Sequence, residues 1–76
     1  MSDDLKEKLR AIVMEVAELD DVPDAESFKD LGIDSMMAIE IVADVERAFK
    51  IKIPEAELEQ ITDLSSVVRL VQSKLG

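Results

Sequence analysis

The chain has 76 residues, with 18 acidic against 9 basic side chains and a formal charge of −9. That length supports one small domain with a thin core, and the acid excess repels the phosphates of nucleic acid and anionic lipid, favouring a basic protein partner. Cys, His, Trp and Tyr are absent and Gly32 and Gly76 are the only glycines, which excludes a disulfide, a thiolate zinc site, a histidine base and the Gly-rich phosphate loops.

Apolar residues recur at helical spacing from the start. Leu5, Leu9, Ile12, Val13 and Val16 follow i, i+4, i+7, i+8, i+11 and predict a helix from about Asp3 to about Leu19. Ser2 to Asp4 offer caps, and the acids there suit the positive end of the helix dipole. The next stretch, from Asp20 to Asp34, holds Pro23, Gly32 and five aspartates, a turn-forming composition. Its length suggests a functional connector, with Phe28, Leu31 and Ile33 expected to pin it to the core.

A second helix is expected from Asp34–Ser35 to near Lys50. Ala38, Ile41, Val42, Val45, Ala48 and Phe49 form its buried face, and Met36, Glu40, Ala43, Arg47 and Lys50 lie opposite. Asp44 can pair with Arg47, and Glu46 with Lys50, across one turn. Ile51-Lys52-Ile53 alternates but is too short for a sheet, so it reads as an extended connector. Pro54 then opens a short helix to about Ile61. Thr62 or Asp63 caps a last helix whose Leu64, Val67, Val68, Val71 and Leu75 make one stripe, with Lys74 complementing the dipole.

Three main helices, one short helix and no strands predict an all-α helical bundle, with a long loop between helices one and two. Residues 1–76 are expected to form a single, monomeric domain. No apolar run approaches the roughly 18 residues of a membrane span, and MSDDLKEKLR lacks a signal-peptide core, so a cytoplasmic location is expected.

The sharpest local pattern is Leu31-Gly32-Ile33-Asp34-Ser35-Met36. Gly32 permits a sharp turn before the helix. Asp34 and Ser35 are both capping types, so Ser35 can be read simply as a cap. A second reading is chemical: a hydroxyl at a helix N-terminus is well placed to carry a phosphate ester, which free N–H groups and the dipole stabilise. With no histidine in the chain, Ser35 lacks a base of its own, and its modification requires another enzyme.

The stretch from Asp30 to Glu40 resembles the modification site of acyl carrier proteins, in which an Asp-Ser-Leu or Asp-Ser-Met motif stands where a long loop meets the second helix. Phe28-x-x-Leu31-Gly32, Phe49, Ile53-Pro54 and Ile61-Thr62 fall in the same register, so the resemblance covers nearly the whole chain. It implies that Ser35, set by Asp34 and Gly32, is esterified by phosphopantetheine drawn from coenzyme A by a separate phosphopantetheinyl transferase. The arm's thiol then carries acyl groups, and the chain is a carrier with no catalysis of its own. The resemblance further implies a recognition surface at Met36, Met37, Glu40, Asp44 and Glu46. Acyl-transferring and acyl-processing enzymes with basic docking patches would bind there, and Ala38 and Ala48 would leave room for a sheltered chain.

Met37, Ala43, Arg47 and Ala48 depart from the commonest fatty-acid pattern and point to a specialised acyl pathway, such as a polyketide-type one. A peptidyl or aminoacyl carrier and an unmodified acidic interaction module are the alternatives. Placing Gly32 at the sixth position of a calcium loop puts Lys29 and Leu31 at ligand positions, so no specific metal site is expected. Weak divalent binding at Asp20, Asp21, Asp24, Glu40 and Asp44 is expected instead. The charge is concentrated: from Glu15 to Glu46 there are eleven acids and one base, Lys29.

Overall fold

The computed structural model describes residues 2–75. The helices are α1 (Ser2–Ala17), α2 (Ser35–Phe49), a short 3₁₀ helix (Glu55–Gln60) and α3 (Leu64–Leu75), and no strand occurs among the described residues. The expected all-α bundle is therefore the architecture. α1 packs against both α2 and α3.

The core follows the predicted periodicities with three adjustments. Leu9 and Val13 of α1, Ile41, Val42 and Val45 of α2, and Leu64, Val67, Val68 and Val71 of α3 are buried together. Fully burying a side chain of this kind contributes about 1.5–3 kcal/mol. Ala48, expected on the buried face, is exposed because it lies at the edge of the arc centred on Ile41 and Val45. Leu75 continues the α3 stripe by angle but is 52% exposed, since it closes the helix beyond the residues that pack on it. In the other direction, Ser66 and Leu70, one turn apart, are buried as well, so α3 is enclosed over a wider arc than its stripe.

α1 and α2 end in the same way. Glu18 and Lys50 each take a left-handed conformation with φ of 56°. The N–H two residues past each helix then reaches back, Leu19 to the Met14 carbonyl at 3.0 Å and Ile51 to the Glu46 carbonyl at 3.2 Å. These are Schellman closures, and the residues that make them, Leu19 and Ile51, are half-buried against the core. α3 begins on a reciprocal cap: Ser66 N–H donates to Asp63 Oδ1 at 2.8 Å, while Ser66 Oγ accepts from Thr62 and Asp63 N–H. Of the two candidate caps, Asp63 takes the role.

The long loop is tied down at several points. Phe28 and Ile33 are buried as expected, Leu31 is half-buried, and Val22, between the turn-forming Asp21 and Pro23, is completely buried. Phe28 N–H donates to the Thr62 carbonyl at 2.8 Å, and the Asp24 carbonyl accepts from Ser65 N–H at 3.2 Å and from its hydroxyl at 3.1 Å. From the other side, Lys6 Nζ reaches Asp24 Oδ2 at 2.8 Å and Arg10 reaches Asp24 Oδ1 at 2.5 Å. Arg10 also donates to the Val22 carbonyl. One aspartate thus joins the loop to α1 by its side chain and to α3 by its backbone.

The Lys6 hydrogen bond, and then that of Arg10, hold the Asp24 carboxyl below the usual aspartate range. A depressed folded-state pKa stabilises the fold at pH values above the unfolded value, near about 3.9, and the contribution is lost as pH falls through the folded value. Asp24→Asn is expected to melt below wild type by a constant margin from neutral pH down to about pH 4. The margin should then shrink on further acidification, which thermal melts across an acid series would measure.

Candidate functional site

The loop reaches α2 through a tight turn. Leu31 N–H donates to the Ser27 and Phe28 carbonyls, Gly32 N–H to the Lys29 carbonyl at 3.1 Å and Ile33 N–H to the Phe28 carbonyl at 2.9 Å. Gly32 has φ of +84°, and a Cβ placed on it would meet no atom within 4 Å. Its backbone conformation, not crowding, calls for glycine. Buried Ile33 then anchors the chain one residue before the cap.

Asp34 is that cap: it is extended, and its Oδ1 accepts from Met37 N–H at 2.9 Å. Ser35 is the first residue of the helix and is exposed. The double capping expected from Asp34 and Ser35 is therefore single, and among the described residues no hydrogen bond engages the Ser35 hydroxyl. The helix's leading N–H groups, at Ser35 and Met36, have no intrahelical acceptor, an arrangement that favours an anion.

A cleft opens beside Ser35. A cavity of about 550 Å³ is lined by Ser35 together with Phe28, Ile33, Ala38, Val42, Leu58 and Ile61, with Lys29, Glu55 and Glu59 among its polar lining. A second, of about 360 Å³, shares Ile39, Val42, Glu55 and Leu58 with it and continues to Glu46 and Ile53. The far wall is the 3₁₀ helix, whose part in the site the linear pattern conceals; the Leu58–Ile61 spacing was its one apolar signal. Ala38 lines the cleft, whereas the exposed Ala48 does not.

The other expected site residues separate into two groups. Met36 is 74% exposed and Glu40 exposed, both on the outer side of α2 near Ser35, whereas Ile39, 56% exposed and not foreseen as a site residue, lines the cleft. Met37 is half-buried and packs against the core. Asp44 is engaged by Arg47, as its spacing predicts. Glu46 does not pair with Lys50: its Oε2 accepts from Ile53 N–H at 2.7 Å, because Lys50 turns left-handed and the chain folds back past Glu46. Among the described residues no group of three potential metal ligands comes together. Asp24 and Asp44 are moreover taken by basic side chains.

The family profile described as "Phosphopantetheine attachment site" matches residues 7–71. The chain belongs to the acyl carrier protein family. It is 42% identical over 74 residues to polyketide-8 synthase acyl carrier protein 2 of Streptomyces avermitilis, covering 93% of this chain and 85% of that protein. It is 32% identical to the non-reducing polyketide synthase dbaI of Emericella nidulans over 95% of this chain, which spans 3% of that much longer protein. Among solved structures it resembles BlmI, a type-II acyl-carrier-protein from Streptomyces verticillus involved in bleomycin biosynthesis. The TM-score is 0.87 and the identity 26%, over 99% of this chain and 90% of that one. It also resembles an acyl carrier protein from Thermotoga maritima, with a TM-score of 0.83 and 29% identity over 97% and 89% of the two chains.

The family's covalent group is phosphopantetheine. The carrier's own geometry suits it: an exposed hydroxyl free of hydrogen bonds, leading amides for the phosphate and an apolar cleft alongside.

Two contrasts separate structural from functional roles. Asp34→Ala should cost about 0.5–2 kcal/mol through the lost cap, while Ser35→Ala should stay within about 0.5 kcal/mol of wild type; paired denaturant melts measure both. Glu46→Ala should cost about 1–2 kcal/mol by leaving the Ile53 N–H without its charged acceptor. Glu46→Gln, which retains an acceptor, should cost less in the same melts.

Proposed function

We propose that Ser35 is the residue that carries the arm, and that the chain presents acyl intermediates of a polyketide-type pathway to separate enzymes. The observation that carries this reading is the exposed Ser35 hydroxyl, which Asp34 relieves of capping and which borders the cleft. Phosphopantetheine supplies a terminal thiol on which the acyl group is held as a thioester. The chain contributes position. Gly32 and Ile33 fix where α2 begins, Asp34 secures the first turn, and the cleft between α2 and the 3₁₀ helix shelters the apolar part of the cargo.

Attachment is the work of a separate phosphopantetheinyl transferase, since the chain has no histidine and offers Ser35 no base. Partner enzymes read the outer side of α2, where Met36 gives an adaptable apolar contact and Glu40 meets basic side chains. Asp44 and Glu46 contribute less, because each is committed within the chain. The 42% identity to the Streptomyces avermitilis carrier supports polyketide-type service over fatty-acid synthesis, and residues 1–76 act as one carrier domain, placed in the cytoplasm with its biosynthetic partners.

The test is incubation with coenzyme A and a promiscuous phosphopantetheinyl transferase, followed by intact-mass measurement. Wild type is expected to gain one phosphopantetheinyl group and Ser35→Ala none. Equal gains in both would move the attachment away from Ser35. Loading the modified protein from a panel of acyl and aminoacyl donors then separates polyketide, fatty and amino-acid cargo.

A further inference from the structure

A phosphodiester on Ser35 would enter the most acidic part of the molecule. Asp30, Asp34 and Glu40 are exposed nearby in the chain, and Glu55 and Glu59 line the same cavity as Ser35. Between Glu15 and Glu46 there is a single base, Lys29, and it too lines that cavity. The root of its side chain is held: Lys29 N–H donates to Ser27 Oγ at 3.2 Å, and its carbonyl accepts from Gly32 N–H at 3.1 Å. The residue is exposed and, among the described residues, makes no ion pair.

Among the described residues no other cation is as well placed. Lys6 and Arg10 are bound to Asp24, Arg47 to Asp44 and Lys74 to Glu57. Lys8, Lys50, Lys52 and Arg69 do not line the cavity. A lysine without a carboxylate partner, in a segment with eleven acids, leaves its charge available for an incoming anion.

We infer that Lys29 is a positioning residue for the arm, pairing with the phosphodiester on Ser35 while the leading amides of α2 take its remaining oxygens. This rests on Ser35 being the attachment residue. The ion pair offsets the repulsion between the phosphodiester and the surrounding carboxylates, and it directs the start of the arm along the cleft instead of outward into solvent. Lys29 takes no part in forming or breaking the ester.

The test compares wild type, Lys29→Met and Lys29→Arg, each as the unmodified protein and after modification with coenzyme A and a promiscuous transferase, with loading verified by intact mass. At low salt, modification should lower the melting temperature of Lys29→Met by about 2–4 °C relative to its effect on wild type. That gap should close at high salt, and Lys29→Arg should behave as wild type. The ³¹P resonance of the modified protein should shift in Lys29→Met and remain in place in Lys29→Arg. Equal effects of modification in all three fully loaded proteins, with an unmoved ³¹P signal, would overturn the role of Lys29 alone. Absence of any mass gain in wild type would instead overturn the attachment reading, and this inference with it.

Discussion

The segment between α1 and α2 has little regular structure, yet it must deliver α2 to a single starting point. Everything at the site depends on that segment being held, and Asp24 is where it is held. Its carboxylate bridges Lys6 and Arg10 on α1, and its carbonyl accepts from Ser65 at the start of α3. Val22 and Phe28 are buried on either side of it. Without those ties the segment would pay a large conformational entropy for each ordered residue with little return. With them, its end at Gly32–Ile33 is fixed, and Ser35 stands at a defined edge of the bundle.

The division of roles between Asp34 and Ser35 follows from the same constraint. A helix start needs an acceptor for its leading N–H groups, and in this chain the residue before the serine provides it. The hydroxyl is thereby left to solvent while its backbone remains ordered. Such an arrangement suits a residue that must enter another enzyme's active site and still present its load in a fixed direction. The cleft has a similar logic: its inner wall is rigid core, at Phe28, Ile33 and Val42, while its outer wall is a 3₁₀ helix with no fully buried residue. Leu58, Ile61 and the ion pair of Glu57 with Lys74 at 2.7 Å hold that wall.

The charge of the chain acquires direction only when the pairs are known. Of the acids on α2, Asp44 and Glu46 are spent internally, and Glu40, nearest Ser35, is exposed. Past Ala43 the outer side turns basic, with Arg47 and Lys50. That polarity stabilises the helix through its dipole and confines the acidic surface to the end at Ser35. Lys29 is the one positive group inside the acidic region.

Helix faces were legible in the amino-acid order because periodicity is a local property: Leu9 and Val13, Ile41 and Val45, and Leu64, Val67 and Val71 are buried where a 3.6-residue repeat puts them. The Gly32–Asp34–Ser35 junction was legible for the same reason, since a left-handed turn, a cap and a helix start are set by adjacent residues. Other outcomes depended on neighbours in space. Ala48 lies at the margin of its apolar arc and Leu75 past the packed end of its helix, and Val22 is buried although its flanking residues argue for a turn. Glu46 had two partners within reach along the chain's path, and the left-handed bend at Lys50 brought the Ile53 amide to it. The sequence by itself determined the helices, their inner faces and the serine at their junction. Only the tertiary structure decided which carboxylates are already spent and which wall completes the cleft, because both depend on segments that meet only after the chain has folded.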